Sequence, residues 1–176
     1  LDICIGGVME HLFKGNRDPG PDRLMAAVET GIPMVLAPCG LDILSYGGRA
    51  DMLEKTKDRP QYVQDKLRVQ VRTTADELRQ AADVIAQRLN RATGPWTFLV
   101  PTKGWSSLDR EGRPIYDPVA DAAFVARLRQ GLAEPERLRE VPLHLYTPEF
   151  ARAAVDEFVR LYRSAREPAR AVATQE

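Results

Sequence analysis

The sequence predicts an α/β fold: a three-layer, Rossmann-like parallel sheet with helices on both faces, forming one lobe of a two-lobe protein. Three observations carry this. Apolar runs of strand length alternate with segments of helical periodicity, which argues a parallel sheet covered by helices. Two of the runs end alike, in a proline, a glycine and a polar side chain, at Pro38-Cys39-Gly40-Leu41-Asp42 and Pro101-Thr102-Lys103-Gly104-Trp105-Ser106. Leu1 opens the chain in mid-strand without an initiator Met, so the chain reads as part of something longer.

Taken in order, residues 1–5 form a short strand that leaves through Gly6-Gly7. Residues 8–13 suit a helical turn or a loop, and Lys14 to Gly20 is a loop by composition. Pro21 suits the first helical position and Asp22 places negative charge in the first turn. Leu24, Ala27 and Val28 supply an apolar face, and Gly31 ends the helix. Residues 34–37 are a buried strand after Pro33. Residues 43–46 follow the turn, and the polar residues 49–66 read as a long surface excursion placed like a lid. Leu67, Val69 and Val71 alternate with polar residues, as in a strand.

Thr74 and Glu77 fit a capping box, and Leu78, Ala81, Ala82, Ile85 and Leu89 follow at helical spacing. Residues 96–100 are a strand, and Asp109-Arg110-Glu111-Gly112 a turn within a loop. Asp117-Pro118 opens a helix with Ala122, Val125, Leu128 and Leu132 on one face. Residues 141–146 read as the last strand. The last helix, 148–162, turns Phe150, Ala154, Phe158 and Leu161 inward. Residues 1–163 make up the ligand-binding lobe, and 164–176 form a tail expected to fray.

Lys plus Arg and Asp plus Glu number 25 each, so no global charge draws the chain to nucleic acid or an anionic membrane. No apolar run approaches the roughly 20 residues of a membrane span. Two cysteines make no disulfide framework, neither has a metal ligand at recognisable spacing, and the default compartment is the reducing cytoplasm.

In an open parallel sheet, ligands sit beyond the carboxyl ends of strands. The two proline-glycine turns are therefore read as walls of one crevice, with Pro38, Gly40, Asp42, Lys103, Gly104 and Ser106 as ligand residues. Gly6, Gly7 and Gly20 flank it, and amides after Gly20 would meet a phosphate at the helix start. Asp42 either binds a ribose hydroxyl, an amine or a magnesium-bound water, or caps the next turn. Lys103-Gly104-Trp105-Ser106 either binds an anion or is a solvated loop, and its spacing is not that of a P-loop. Cys39, ahead of a presumed helix, is a nucleophile candidate with Asp42 and a histidine as partners, or a small buried thiol. His144 lies in an apolar run and His11 beside Glu10; neither has a zinc-ligand partner in sequence.

Six stretches resemble, in order, one family: Gly20-Pro21-Asp22-Arg23-Leu24, Pro38 to Asp42, Arg72-Thr73-Thr74, Arg88-Leu89-Asn90-Arg91-Ala92, Pro101 to Asp109, and Asp117-Pro118-Val119-Ala120-Asp121-Ala122. The chain is similar to the carboxy-terminal half of the uncharacterised bacterial protein family related to the tomato-mosaic-virus resistance protein, whose module carries the label of ATP-binding domain. The resemblance implies ATP or another nucleotide as ligand, with or without magnesium, and a second, amino-terminal lobe absent from this chain. A homo-oligomer is a further expectation. An enzyme acting on a small carbonyl or carboxylate metabolite and a structural assembly subunit are the alternatives.

Overall fold

The computed structural model describes residues 1–173, with side chains through Arg166. Its elements run α1 (Gly7–Leu12), α2 (Met25–Thr30), β1 (Met34–Leu36), β2 (Ile43–Ser45), α3 (Ala50–Lys55), β3 (Gln61–Asp65) and β4 (Arg68–Arg72). They continue through α4 (Ala75–Leu89), β5 (Trp96–Pro101), α5 (Pro118–Gly131), β6 (Leu138–Val141) and α6 (Pro148–Ala173).

A parallel sheet of order β1-β5-β6 lies at the centre, with Met34 opposite Trp96 and Phe98 opposite Leu138. The amino-terminal segment runs beside β1: the Asp2 amide donates to Val35 O at 2.8 Å and the Cys39 amide to Ile3 O at 3.2 Å. Side chains alternate across a strand. Met34, Leu36, Trp96, Phe98 and Val100 point to the face packed by α1, α2, α4 and α5. Val35, Ala37 and Leu99 point to the other face, packed by Phe150, Ala154 and Leu161 of α6. The expected three layers are present.

A second sheet, of order β2-β4-β3, is antiparallel. This departs from the expected run of parallel strands: the strand at 67–71 joins its own hairpin, with Val63 opposite Val69 and Leu44 opposite Val71. Val69 and Val71 on one face of β4 are buried while Arg68 is exposed and Gln70 half-buried on the other, as suits an antiparallel sheet with one wetter side; Arg72, at the end of the strand, is buried. The excursion at 49–66 folds as α3 and β3. Asp65 Oδ1 accepts from the Leu67 and Arg68 amides, each at 2.9 Å, and so closes the hairpin turn.

Other boundaries move for local reasons. The chain turns at 21–24, and Leu24 has φ 80°, so α2 starts at Met25 rather than Pro21. The residues after the Asp42 turn form a strand because Ile43–Ser45 finds β4 as partner. β6 ends at Val141, so residues 142–146 are a loop rather than strand. The tail expected from 164 begins inside α6, and residues 174–176 lie outside the described residues.

Two helix starts read from the sequence, at Thr74 and Asp117, are built. Thr74 Oγ1 accepts from the Glu77 amide at 3.2 Å, and Glu77 Oε2 accepts from the Thr74 amide at 2.8 Å. Asp117 Oδ1 accepts from the Ala120 amide at 3.0 Å. The inward face of α5 is Ala120, Phe124 and Leu128; Val125 packs half-buried beside it, and Ala122 is exposed. Phe124 has its ring centroid 6.0 Å from that of Phe98 and 5.3 Å, edge-on, from that of Trp105. It therefore joins sheet, helix and the turn after β5. Phe124→Ala is expected to cost about 3–5 kcal/mol in urea unfolding, the range for an aromatic cavity in a packed core. A loss below about 1 kcal/mol would show that this junction is loosely packed.

Candidate functional site

The turn after β1 is held by backbone from two directions. Gly40 adopts φ +81° and stacks on Gly6, where an added Cβ would stand 2.5 Å from Gly40 O. The Gly6 amide donates to Cys39 O at 3.1 Å. Both glycines are there because two main chains cross at a distance no side chain allows. On the other side, the Thr73 amide donates to Asp42 O at 3.1 Å and Thr73 Oγ1 to Leu41 O at 2.8 Å. Arg72 Nη1 adds a bond to Asp42 O at 3.2 Å.

The turn after β5 is fixed as tightly. The Thr102 and Lys103 amides donate to Val141 O and Leu143 O at 2.9 and 3.0 Å. Gly104, at φ +115°, lets Asp109 O approach to within 1.7 Å of where a Cβ would be. Asp109 Oδ2 accepts from the Trp105 amide at 2.9 Å, and Trp105 Nε1 donates to Pro101 O at 3.1 Å. His144 Nδ1 accepts from the Tyr146 amide at 3.1 Å, which leaves the proton on Nε2, donating to Ser106 O at 3.1 Å.

These turns meet, as expected, but side chains fill their junction. Asp42, Ser106 and Trp105 are all buried. Among the described residues, neither carboxylate oxygen of Asp42 has a hydrogen-bond partner, nor does Asp109 Oδ1. Arg72, itself buried, donates through Nη2 to Asp121 Oδ1 at 2.5 Å and to Asp117 O at 2.9 Å. Burial pushes Asp42 up to about 6; the Ser106 hydroxyl, near it but short of bonding geometry, pulls down, Asp109 pushes up and Arg72 pulls down. Burial pushes Asp121 up to about 8, against the pull of Arg72. Burial opposes the Arg72 charge, but Asp121, Asp109 and Asp42 outweigh it and hold the guanidinium charged. One cation thus faces three carboxyls, and the cluster keeps protons near neutrality.

Open space lies on the far side of the second turn. A cavity of about 400 Å³ opens at the carboxyl ends of β5 and β6, between Val100, Gly104, Trp105, Asp121, Ala122 and Val125. Of the residues expected to touch ligand, Gly104 lines it; Lys103 and Ser106 stand on the same turn, Lys103 exposed. Pro38, Gly40 and Asp42 lie in the packed junction, Gly6 beneath Gly40, and Gly7 against Pro19. Gly20 is in the turn ahead of α2, so no helix start stands behind it. Asp121, Arg72 and Asp109 were not singled out by sequence. All three stand within the stretches that carry the family resemblance, and the Asp117-Pro118 helix start places Asp121 one turn inside α5.

The thiols depart from expectation. No helix follows Cys39, and its proton is held more tightly than usual, through Cys4 first and burial second. Cys4, receiving that proton's hydrogen bond, is lowered to about 6. Among the described residues no histidine bonds Cys39: His11 Nδ1 pairs with Asp18 Oδ1 at 2.9 Å and His144 with Ser106. Among the described residues no group of three or more His, Cys, Asp or Glu is placed to hold a metal ion. No helix among them is long and apolar enough to cross a membrane.

The cluster has a pH signature. Asp42 binds its proton more tightly folded than at its ordinary value of 3.8. Its contribution to stability is therefore complete below that value and fades as pH rises through about 6. Urea unfolding from about pH 4 to about pH 8 should show stability falling through this window, and Asp42→Asn should flatten the fall. An unchanged slope in Asp42→Asn would mean that Asp42 is ionised throughout. Arg72→Leu strands Asp121 and removes a bond from the Asp42 and Asp117 carbonyls, and should cost about 3–5 kcal/mol in the same assay.

Residues 1–162 match the uncharacterised protein family UPF0261, C-terminal domain. A UPF0261 protein of Brucella suis is 32% identical over 160 residues, covering 91% of this chain and 38% of that protein. A UPF0261 protein of Rhizobium meliloti is 33% identical over 157 residues, covering 88% of this chain and 39% of that protein. The ToMV resistance protein Tm-1 of Solanum lycopersicum is 31% identical over 163 residues, covering 92% of this chain and 22% of that protein. The chain thus spans about two-fifths of the bacterial relatives and less of the plant one. The match runs through both proline-glycine turns, the Arg72-Thr73 clamp and both capped helices, and by it this chain belongs to the UPF0261 family, as its C-terminal domain.

Proposed function

We propose that this domain is the ligand-binding lobe of a larger protein and holds a small molecule at the carboxyl edge of its parallel sheet. The resemblance set out above makes that ligand ATP or another nucleotide. The observation that carries the reading is the cavity beside Gly104. It lies where open α/β sheets place their ligands, and its size and apolar walls suit a small organic molecule. Its volume of about 400 Å³ falls within the ordinary range for such sites.

The residues divide the work by chemistry. Val100, Ala122 and Val125 offer apolar walls, and the Trp105 side chain closes the inner end. Asp121 presents a carboxyl to that space while Arg72 anchors it from behind, so a ligand N–H or hydroxyl finds an acceptor. Gly104 permits close approach of main chain, and exposed Lys103 brings a cation to the rim for phosphate. Magnesium carried on nucleotide phosphates keeps most of its own waters and needs no all-protein cage.

Isothermal titration with ATP, with and without magnesium, tests this on the whole protein and on the domain. Saturable binding is expected. Lys103→Ala should weaken it about tenfold, the effect of one lost charge-assisted contact. Ala122→Trp, which fills the cavity from an exposed helix position, should abolish binding while leaving the far-ultraviolet circular dichroism intact. No heat with any nucleotide would remove the nucleotide assignment. Full affinity in Ala122→Trp would move the site away from this cavity.

A further inference from the structure

Two free thiols from distant parts of the sequence lie together at the carboxyl edge of the sheet. Cys4 is on the amino-terminal segment and Cys39 in the turn after β1, and the two backbones are paired there. The Cys39 amide donates to Ile3 O at 3.2 Å and the Gly6 amide to Cys39 O at 3.1 Å, so the bonds bracket Cys4 on both sides. Cys4 Sγ stands 3.6 Å from where a Cβ on Gly40 would lie, which aims it at the 39–40 turn. Cys4 bridges Pro38, the residue before Cys39, and paired backbones run about 5 Å apart, so the two cysteines are diagonal neighbours within the reach of a disulfide.

We propose that Cys4 and Cys39 are a reversible oxidation site, in which Cys4 is the attacking thiol and Cys39 resolves it into an intrachain disulfide. Position divides the roles: Cys4 is exposed and Cys39 is half-buried behind it. The shared proton supports the same division, because it sits on Cys39 and leaves Cys4 as thiolate at neutral pH. The oxidant is hydrogen peroxide. The Cys4 thiolate attacks its outer oxygen, the O–O bond breaks, and Cys4 becomes a sulfenic acid as hydroxide leaves. Cys39, losing its proton, then attacks the Cys4 sulfur, the S–O bond breaks, and water leaves. Two thiols and one peroxide give one disulfide and two waters. A dithiol reductant reverses the step by exchange.

The bond would tie the amino-terminal segment to the β1 turn where Gly6 and Gly40 cross. That crossing is beside Asp42, so oxidation state would set how far the packed junction can open.

The test uses the full chain and hydrogen peroxide as the probe. After brief oxidation under native conditions, intact mass should fall by two hydrogens, and unreduced peptide mapping should join the peptides of Cys4 and Cys39. The same oxidation in unfolding denaturant should close the bond at least about tenfold more slowly, because the effective concentration supplied by the fold is lost. Cys39→Ser should stop at a sulfenic acid on Cys4, captured by dimedone. Oxidised wild-type chain with Cys4 as sulfenic or sulfinic acid and Cys39 still free would overturn the proposal. Cross-linking between chains, or equal closure rates folded and unfolded, would do so as well.

Discussion

The buried guanidinium of Arg72 is the interaction on which the domain's parts depend for their relative placement. From the end of the antiparallel hairpin it reaches the turn after β1 through Asp42 O and the start of α5 through Asp117 O and Asp121. Its own carbonyl accepts from Arg59, whose guanidinium also pairs with Glu77 in the capping box of α4. A buried charge is costly without partners, and here they come from the turn after β1 and from the start of α5. The arrangement therefore acts as a specification as much as a source of stability: hairpin, parallel sheet and two helix starts are satisfied together or not at all. The short motif Arg72-Thr73-Thr74 does three things in succession. It centres the ion cluster, clamps Leu41 and Asp42, and caps α4.

Around that cation the carboxyls are not equivalent. Asp121 has a direct partner, Asp109 is half satisfied by the Trp105 amide, and Asp42 is bonded by nothing among the described residues through its side chain. Burial without a partner favours the neutral form, so Asp42 is a group whose charge responds to any donor brought near it. It stands at the back of the turn whose front lines the cavity. The Phe98–Phe124–Trp105 packing joins that turn to the core.

Glycine placement reports the same economy. Gly6, Gly40 and Gly104 sit where main chains come closer than a side chain allows. Gly7 and Gly20, similar in sequence, do other work: Gly7 abuts Pro19, and Gly20 takes a left-handed turn in open space. A glycine in a sequence signals a tight place or a turn, but not whether the thing approached is a ligand or the protein itself. At Gly6 and Gly40 it is the protein.

Local chemistry let the sequence determine the helix starts at Thr74 and Asp117, the apolar strands at 34–36 and 96–100, and the alternation that makes this an α/β domain. It also picked out the two turns that converge. Each of these follows from neighbours within a few residues: a hydroxyl three positions from an amide, a proline at a first turn, an apolar run ended by proline and glycine. Tertiary structure alone decided which sheet 68–72 would join, because either kind of partner suits an alternating strand. It decided that Asp42 would share its burial with Asp109, Asp121 and Arg72, and that Cys4 would lie against Cys39. Charge burial and thiol proximity are properties of groups brought together from far along the chain. No spacing in the sequence encodes that meeting until the sheet has ordered its strands.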